Sequence, residues 1–147
     1  MIKLGYIGLG GRGRNMLKTV IDSFDNVEVA ALCEIDDSRL EQGKKIVEEK
    51  TGKTPICTKN EDDIFNLDID CVIIMTYWET HIPLAIKAMK KGIRPGIEVG
   101  GAYSLEDCFR LVRTYEETGV PCMMLENCCY GKRELTVLKM VKEGLFG

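Results

Sequence analysis

The chain has 147 residues, enough for one domain with a hydrophobic core. Its composition, 45% hydrophobic and 29% charged, is that of an ordinary globular protein, and its net charge of −3 gives no basic surface for nucleic acid. No apolar run approaches the length of a membrane span. We therefore expect no nucleic-acid or membrane partner, and a cytoplasmic location by default.

A glycine-rich turn follows the first apolar run, which predicts a strand over Ile2 to Ile7. Gly8, Gly10 and Gly13 fit the pattern G-x-G-x-x-G. The first glycine permits a tight turn, the second lets a diphosphate approach bare backbone, and the third lets the next helix pack close to the sheet. That helix presents free N–H groups and a positive dipole end. A glycine-rich turn without a ligand is the alternative for the motif alone.

The residues after the turn favour a dinucleotide. A helical pattern, Asn15 to Phe24, leads to a second strand, Val27 to Cys33, with Glu34 at its end. Glu34 lies about 20 residues past the glycines, where a carboxylate binds the adenosine ribose hydroxyls. It would repel a 2′-phosphate, which favours NAD over NADP, although Arg39 is a counter-signal. As an alternative, Glu34 is only a negative charge before a helix.

The rest of the sequence alternates helix and strand. The predicted elements are helix Asp37 to Lys50, strand Pro55 to Thr58, helical turn Glu61 to Leu67, strand Cys71 to Met75, helix Thr80 to Lys91, strand Gly96 to Val99, a helix capped by Ser104 that ends at Gly119, strand Pro121 to Leu125 and helix Lys132 to Glu143. This alternation predicts an α/β fold with a doubly wound, mainly parallel six-stranded Rossmann sheet. The apolar ending predicts that residues 1–147 are the NAD(P)-binding Rossmann domain, the N-terminal part of a longer two-domain protein.

The carboxyl ends of the predicted strands, where such sheets bind ligands, provide the candidate cofactor-binding residues. These are Gly8, Leu9, Gly10, Gly11, Arg12, Gly13, Glu34, Thr76, Tyr77, Trp78, His81, Glu98, Val99 and Asn127. Trp78 either stacks on a nicotinamide or sugar or is a packing residue, and His81 is either a capping or packing residue or a catalyst. Glu98 and Glu126 end consecutive strands, where they either carry out acid–base chemistry or cap helices.

The cysteines indicate a reducing compartment. The chain has seven, an odd number scattered over core-like segments, which predicts free thiols. Cys33, Cys71 and Cys122 lie in predicted strands, where a thiol is a small buried hydrophobe. With no C-x-x-C pair and a single histidine, the sequence predicts no metal site.

Together these residues resemble the nucleotide-binding domain of the glucose–fructose oxidoreductase / inositol dehydrogenase / MocA family, over essentially the whole chain. The resemblance rests on Gly8 to Gly13, on Glu34, on the stretch Thr76 to Ala85 with its His81-x-Pro83-Leu84-Ala85, and on Glu98. It implies NAD as the cofactor. Most dehydrogenases of the family have Glu-Lys-Pro where this chain has Glu98-Val99-Gly100, and their lysine assists catalysis near the nicotinamide.

A branch of the family, the NAD-dependent α-N-acetylgalactosaminidases of glycoside hydrolase family 109, has Glu-Val-Pro there and is more similar. Gly11-Arg12-Gly13, Trp78, Met123 to Tyr130 and Glu134-Leu135 also resemble this branch, whereas Gly100 departs from it. The resemblance implies that NAD⁺ takes hydride from the sugar C3, a base removes the acidified C2 proton, the aglycone leaves, water adds and the hydride returns. The family's catalytic tyrosine and histidine come mainly from the C-terminal domain, so no catalytic residue is assigned here.

Three functions remain open: the NAD-binding half of a glycosidase, the same half of a sugar or inositol dehydrogenase, and a non-enzymatic NAD-binding regulator. The first two act on a small-molecule sugar or glycoside. We expect the chain alone to bind NAD without turnover. We also expect a homo-oligomer, formed through apolar surface around Trp78, Val99 and Leu145-Phe146.

Overall fold

The computed structural model describes every residue from Met1 to Gly147. Its elements are β1 (Ile2–Ile7), α1 (Gly11–Ser23), β2 (Val27–Cys33), α2 (Asp37–Thr51), β3 (Ile56–Thr58), α3 (Glu61–Phe65), β4 (Cys71–Ile74), α4 (Trp78–Lys90), β5 (Arg94–Ile97), α5 (Leu105–Thr118), β6 (Met123–Met124), a 3-10 helix (Cys128–Tyr130) and α6 (Lys132–Lys142). The strands form one sheet in the order β3-β2-β1-β4-β5-β6, and all pairs are parallel. The predicted doubly wound, six-stranded Rossmann sheet is confirmed.

The core consists of two hydrophobic clusters, one on each face of the sheet. Tyr6 packs with Leu17 of α1 and Val47 of α2 in one cluster, and Ile7 packs in the other, which α4 covers. Successive strand residues point to opposite faces, so β1 supplies both clusters. The order of the strands reverses between β1 and β4, and this switch point is where open α/β sheets bind their ligands.

Strand β5 begins and ends two residues earlier than predicted, at Arg94 and Ile97 instead of Gly96 and Val99. Pro95 is inside the strand and pairs with Val72 of β4. Its nitrogen faces the side of β6, but β6 pairs only with Gly96 and Ile97, so the missing N–H breaks no ladder hydrogen bond. Glu98 therefore follows the strand, and its N–H donates to the Ile74 carbonyl at 3.1 Å.

Helix α4 begins at Trp78, not at Thr80. The Thr80 hydroxyl donates to the Tyr77 carbonyl at 2.8 Å and lies 2.7 Å from the Thr76 hydroxyl oxygen, so Thr80 belongs to the first turn. Strand β6 is limited to Met123–Met124, shorter than predicted, and the 3-10 helix after it was not predicted. None of the helices is both long and apolar enough to span a bilayer.

Many large apolar side chains are exposed in the second half of the chain. They lie on α5, β6, α6 and the residues after it: Leu105, Phe109, Val112, Tyr115, Met123, Met124, Leu135, Leu138, Val141, Leu145 and Phe146. The inner side of α5 packs on α4, and its Leu111 contacts the core. An exposed apolar surface of this kind is typical of a face that another domain or subunit covers.

Candidate cofactor-binding site

In the glycine turn after β1, two glycines lie too close to neighbouring backbone to carry a side chain, and two others face open space. Gly8 has φ +95°, and a β-carbon there would lie 2.6 Å from the Met75 carbonyl oxygen. A β-carbon on Gly13 would overlap the carbonyl oxygen of Gly8. By contrast, β-carbons on Gly10 and Gly11 would have no neighbour within 4 Å. The fold therefore requires Gly8 and Gly13, while Gly10 and Gly11 leave bare backbone facing open space.

Helix α1 starts at this turn without a cap. Gly10 is the N-cap residue, offers no side-chain acceptor, and no acidic residue lies in the first turn. The first α1 N–H to find a partner is that of Arg14, which donates to the Gly10 carbonyl at 3.0 Å. Side chains cap three other helices: α2 by Asp36, α3 by Asn60 and α5 by Ser104. The N–H groups at the start of α1 remain available to an anion.

Glu34 connects the end of β2 to the glycine turn. It is 7% exposed, and its carboxylate accepts the Leu9 N–H at 2.7 Å and the Asp36 N–H at 3.2 Å. Asp36, not Glu34, caps α2 by accepting the Arg39 N–H at 2.9 Å. The role of a negative charge at the start of the helix, which was the alternative for Glu34, is thus filled by Asp36. Binding of the ribose by Glu34 stays a prediction.

Leu9 is fully buried, and its N–H already donates to Glu34. It has no exposed surface in this structure, and its cofactor contact stays a prediction. Its side chain packs instead in the cluster under α1 and α2. Two partners of this turn were missed: Arg14, whose guanidinium donates to the Leu9 carbonyl, and Tyr6, whose hydroxyl donates to the Gly13 carbonyl at 2.9 Å. Tyr6 is a hydroxyl-bearing side chain within an apolar strand, which is a signal the sequence did contain.

His81 is fully buried inside α4, although the sequence placed it at the ligand edge. Its Nε2 lies 3.1 Å from the Thr76 carbonyl oxygen, and its Nδ1 has no partner. A carbonyl oxygen only accepts, so Nε2 carries the hydrogen. The contact between His81 and the cofactor stays a prediction. The ring binds the backbone at Thr76, in the short connection between β4 and the first residue of α4, Trp78.

Tyr77 and Trp78 are exposed after β4, and Val99 is 36% exposed after β5. The Trp78 ring lies against the backbone of Gly100, which has φ +91°; a β-carbon there would be 2.5 Å from the indole. No feature of the sequence predicted this contact. It brings the ends of β4 and β5 together at one edge of the site.

Arg12, in the first turn of α1, forms an ion pair with Glu98. Its Nε and Nη2 donate to the two carboxylate oxygens of Glu98, both at 3.3 Å. The Arg12 side chain is 56% exposed and that of Glu98 is 19% exposed. Burial raises the pKa of the Tyr6 phenol far above its usual range, and the negative charge of Glu98 raises this pKa further. Tyr6 is therefore a neutral donor to Gly13.

Glu126 accepts the N–H of Cys128 at 2.6 Å, and this bond holds the pKa of the carboxyl below its usual value. Glu126 thus stabilises the start of the 3-10 helix, whereas Glu98 is bound to Arg12, so the two carboxylates have separate partners. Asn127 is exposed next to the 3-10 helix. All seven cysteines are free.

These features fit a dinucleotide. The open backbone at Gly10 and Gly11 and the uncapped start of α1 suit a diphosphate, and Glu34 stands at the end of β2, beside the same turn.

The comparisons with known proteins agree with this geometry. Residues 2–126 match the family described as "Oxidoreductase family, NAD-binding Rossmann fold". The chain is 41% identical over 151 aligned residues to an α-N-acetylgalactosaminidase of Bacteroides fragilis, covering 100% of this chain and 35% of that protein. It is 38% identical over 152 residues to an α-N-acetylgalactosaminidase of Shewanella oneidensis, covering 100% of this chain and 33% of that protein. The chain thus spans about a third of the length of the curated relatives it matches.

Solved structures show the same fold at lower identity. The scyllo-inositol dehydrogenase of Lactobacillus casei, with bound NAD(H) and scyllo-inositol, superposes with a TM-score of 0.88 at 17% identity, over 100% of this chain and 42% of that one. The myo-inositol 2-dehydrogenase of Lactobacillus plantarum gives a TM-score of 0.87 at 20% identity, over 99% and 42%. With its glycine turn, its sheet order and the match over residues 2–126, the chain belongs to the Gfo/Idh/MocA oxidoreductase family, as an NAD-binding Rossmann domain.

Proposed function

We propose that this chain is the NAD-binding domain of a longer, two-domain enzyme that cleaves a glycoside by transient oxidation of its sugar. The observation that carries the cofactor half of the proposal is the open, uncapped glycine turn joined to Glu34. The glycoside half is supported by relatives of 37–41% identity along nearly the whole chain, named as α-N-acetylgalactosaminidases or glycosyl hydrolase family 109 proteins.

When bound, NAD supplies a hydride acceptor. The chain's own residues supply the binding and positioning. The N–H groups at Gly11, Arg12 and Gly13 hold the diphosphate, and the Arg12 guanidinium neutralises part of its charge. Glu34 accepts hydrogen bonds from the adenosine ribose and repels a 2′-phosphate.

The edge after β4 and β5 faces the sugar. His81 fixes the Thr76 carbonyl, and the Trp78 ring, lying on Gly100, presents an apolar surface next to the exposed Val99. Val99 has no group that can carry a proton where most dehydrogenases of the family have a lysine, so we expect the acid–base groups to come from the rest of the protein. The seven free cysteines support a cytoplasmic location, where thiols stay reduced.

The test is a cleavage assay on the full-length protein with an aryl α-N-acetylgalactosaminide and added NAD⁺. We expect release of the aryl group without net formation of NADH, because the hydride returns to the sugar. Net NADH from free sugars would instead identify a dehydrogenase, and NAD binding with no turnover would identify a regulator.

The 147-residue chain is the matched control. It should bind NAD and release no aryl group. Cleavage at a comparable rate by this chain alone would contradict the proposal that the catalytic groups lie in the rest of the protein. The catalytic groups would then lie within these 147 residues, and Glu98 and Glu126 would be the first residues to substitute.

A further inference from the structure

Two adjacent cysteines, Cys128 and Cys129, lie in the 3-10 helix that connects β6 to α6, and both are exposed. Both thiols lie beside the same residue, Glu126. The Cys129 thiol donates to the Glu126 carbonyl oxygen at 3.3 Å, and the Cys128 thiol interacts with the Glu126 carboxylate. We propose that this cysteine pair is a redox site, at which hydrogen peroxide joins the two sulfurs in a disulfide. The reaction does not depend on NAD binding.

The reaction consumes two thiols and one molecule of peroxide. The Cys129 sulfur attacks one peroxide oxygen, the O–O bond breaks, and Cys129 becomes a sulfenic acid as hydroxide leaves. The Cys128 sulfur then attacks the Cys129 sulfur, and the S–O bond breaks to release a second hydroxide. The two thiol protons combine with the two hydroxides, so the products are one disulfide and two water molecules. The sulfurs lose two electrons, and the peroxide gains them.

Glu126 determines which of the two thiols reacts first. Its carboxylate raises the pKa of the Cys128 thiol, first by accepting a hydrogen bond from it and then by its negative charge, and the charge of Glu134 raises this pKa further. Cys128 therefore stays protonated, whereas attack on peroxide requires a thiolate. The Cys129 thiol meets a neutral carbonyl oxygen instead. Because peroxide is uncharged, the two carboxylates do not repel it. Cys129 is thus oxidised first, and Cys128 closes the ring.

A disulfide between adjacent residues is strained, so it is reduced easily. Adjacent Cα atoms are about 3.8 Å apart, whereas disulfides usually join Cα atoms about 4.4–6.8 Å apart, and strain makes the bond more reducible. Successive side chains of a 3-10 helix point about 120° apart, so the ring closes only when the helix opens. The hydrogen bond from the Gly131 N–H to the Cys128 carbonyl, 2.9 Å long, is then lost. Oxidation therefore loosens the start of α6, where Gly131 is the N-cap, in a reversible way.

Peptide mass spectrometry on this chain tests the redox site. The protein is treated with hydrogen peroxide, its free thiols are alkylated, and it is digested with trypsin and a glutamate-specific protease. Cleavage after Glu126 and Lys132 releases residues 127–132, whose only thiols are those of Cys128 and Cys129. We expect this peptide to lose two hydrogen atoms and to resist alkylation, and we expect dithiothreitol to restore both thiols.

Serine variants test the order of the two steps. In Cys128→Ser, the sulfenic acid on Cys129 has no partner thiol, so dimedone should label it. In Cys129→Ser, dimedone should label Cys128 at least about fivefold less, because less of the Cys128 thiol is ionised. The control is Cys108→Ser. Cys108 is exposed on α5 with no adjacent cysteine, so this variant should form as much of the disulfide as the wild type does. Thermal unfolding shows that each variant is folded.

Three results would overturn the proposal. If residues 127–132 keep both thiols while peroxide oxidises Cys108, the cysteine pair is not a redox site. If Cys129 carries a sulfinic acid in place of the disulfide, Cys128 does not close the ring. Equal dimedone labelling of Cys128 and Cys129 in the two serine variants would refute the order that Glu126 imposes. None of these results bears on whether the chain binds NAD.

Discussion

Replacing Gly10 by alanine separates the binding role of the glycine turn from its folding role. Gly10 has φ −59° and ψ −177°, a conformation open to any L-residue, and a β-carbon there meets nothing within 4 Å. At such a position, alanine stabilises a fold by about 0.4–1 kcal/mol, because it restricts the unfolded chain. For a domain of this size the melting temperature should rise by about 1–4 °C.

The same methyl group occupies the open space where the diphosphate approaches bare backbone. Each hydrogen bond lost between an N–H group and a charged ligand costs about 1.5–3 kcal/mol. We therefore expect Gly10→Ala to bind NAD⁺ about 10- to 100-fold more weakly while melting no lower than the wild type. Differential scanning fluorimetry and calorimetric titration measure the two quantities on the same protein.

Gly13→Ala is the opposite case and serves as the control. Its β-carbon would overlap the Gly8 carbonyl oxygen, so the turn or α1 has to shift. Overpacking of this kind costs about 1–3 kcal/mol, which corresponds to a fall of about 2–10 °C in melting temperature. If Gly10→Ala binds NAD⁺ as the wild type does, or if it melts well below the wild type, the assignment of Gly10 to the ligand and not to the fold is refuted.

Four further predictions concern other parts of the structure. His81→Phe removes the buried imidazole that donates to the Thr76 carbonyl, so thermal unfolding should occur about 2–10 °C lower, and an unchanged melting temperature would show that this bond contributes nothing. Burial raises the pKa of Cys33 to about 12, so at pH 8 iodoacetamide should label the exposed Cys128 and Cys129 of the folded protein but not Cys33. After denaturation, all seven thiols should react. Because the unfolded thiol ionises near its ordinary pKa, about 8.5, the stability that Cys33 contributes should fall as the pH rises from about 9 towards 12. The exposed apolar residues of α5 and α6 should produce concentration-dependent self-association in sedimentation velocity, which a monomer at every concentration would contradict.

The sequence predicted the fold well because its signals were local. Alternating apolar segments and glycine turns predicted the six strands and the helices between them. The bounds of β1 and β2 and the position of the glycine turn were predicted correctly. Element bounds were less certain where a residue has two interpretations. Pro95 lies inside β5 because its nitrogen faces the side of β6, which pairs only with Gly96 and Ile97, and Thr80 lies in the first turn of α4, which begins two residues before it.

The site was predicted in outline but not in its contacts. Spacing alone placed Glu34 beside the glycines, because a Rossmann fold fixes that distance along the chain. Spacing along the chain does not show which side chains are buried. Leu9 and His81 lie within the motifs, yet both side chains are completely buried. The pairing of Arg12 with Glu98 and the contact of Trp78 with Gly100 join residues distant in sequence. Only the sheet order brings them together.

The most direct test of the central claim is a titration of the wild-type chain with NAD⁺ and NADP⁺, repeated on Glu34→Ala. The account predicts that the wild type binds NAD⁺ clearly more tightly than NADP⁺, because the Glu34 carboxylate accepts from the ribose hydroxyls and repels a 2′-phosphate. In Glu34→Ala, NAD⁺ should bind about tenfold more weakly and the difference between the two cofactors should shrink. Equal affinities in the wild type, or a Glu34→Ala variant that binds NAD⁺ as well as the wild type does, would contradict the account.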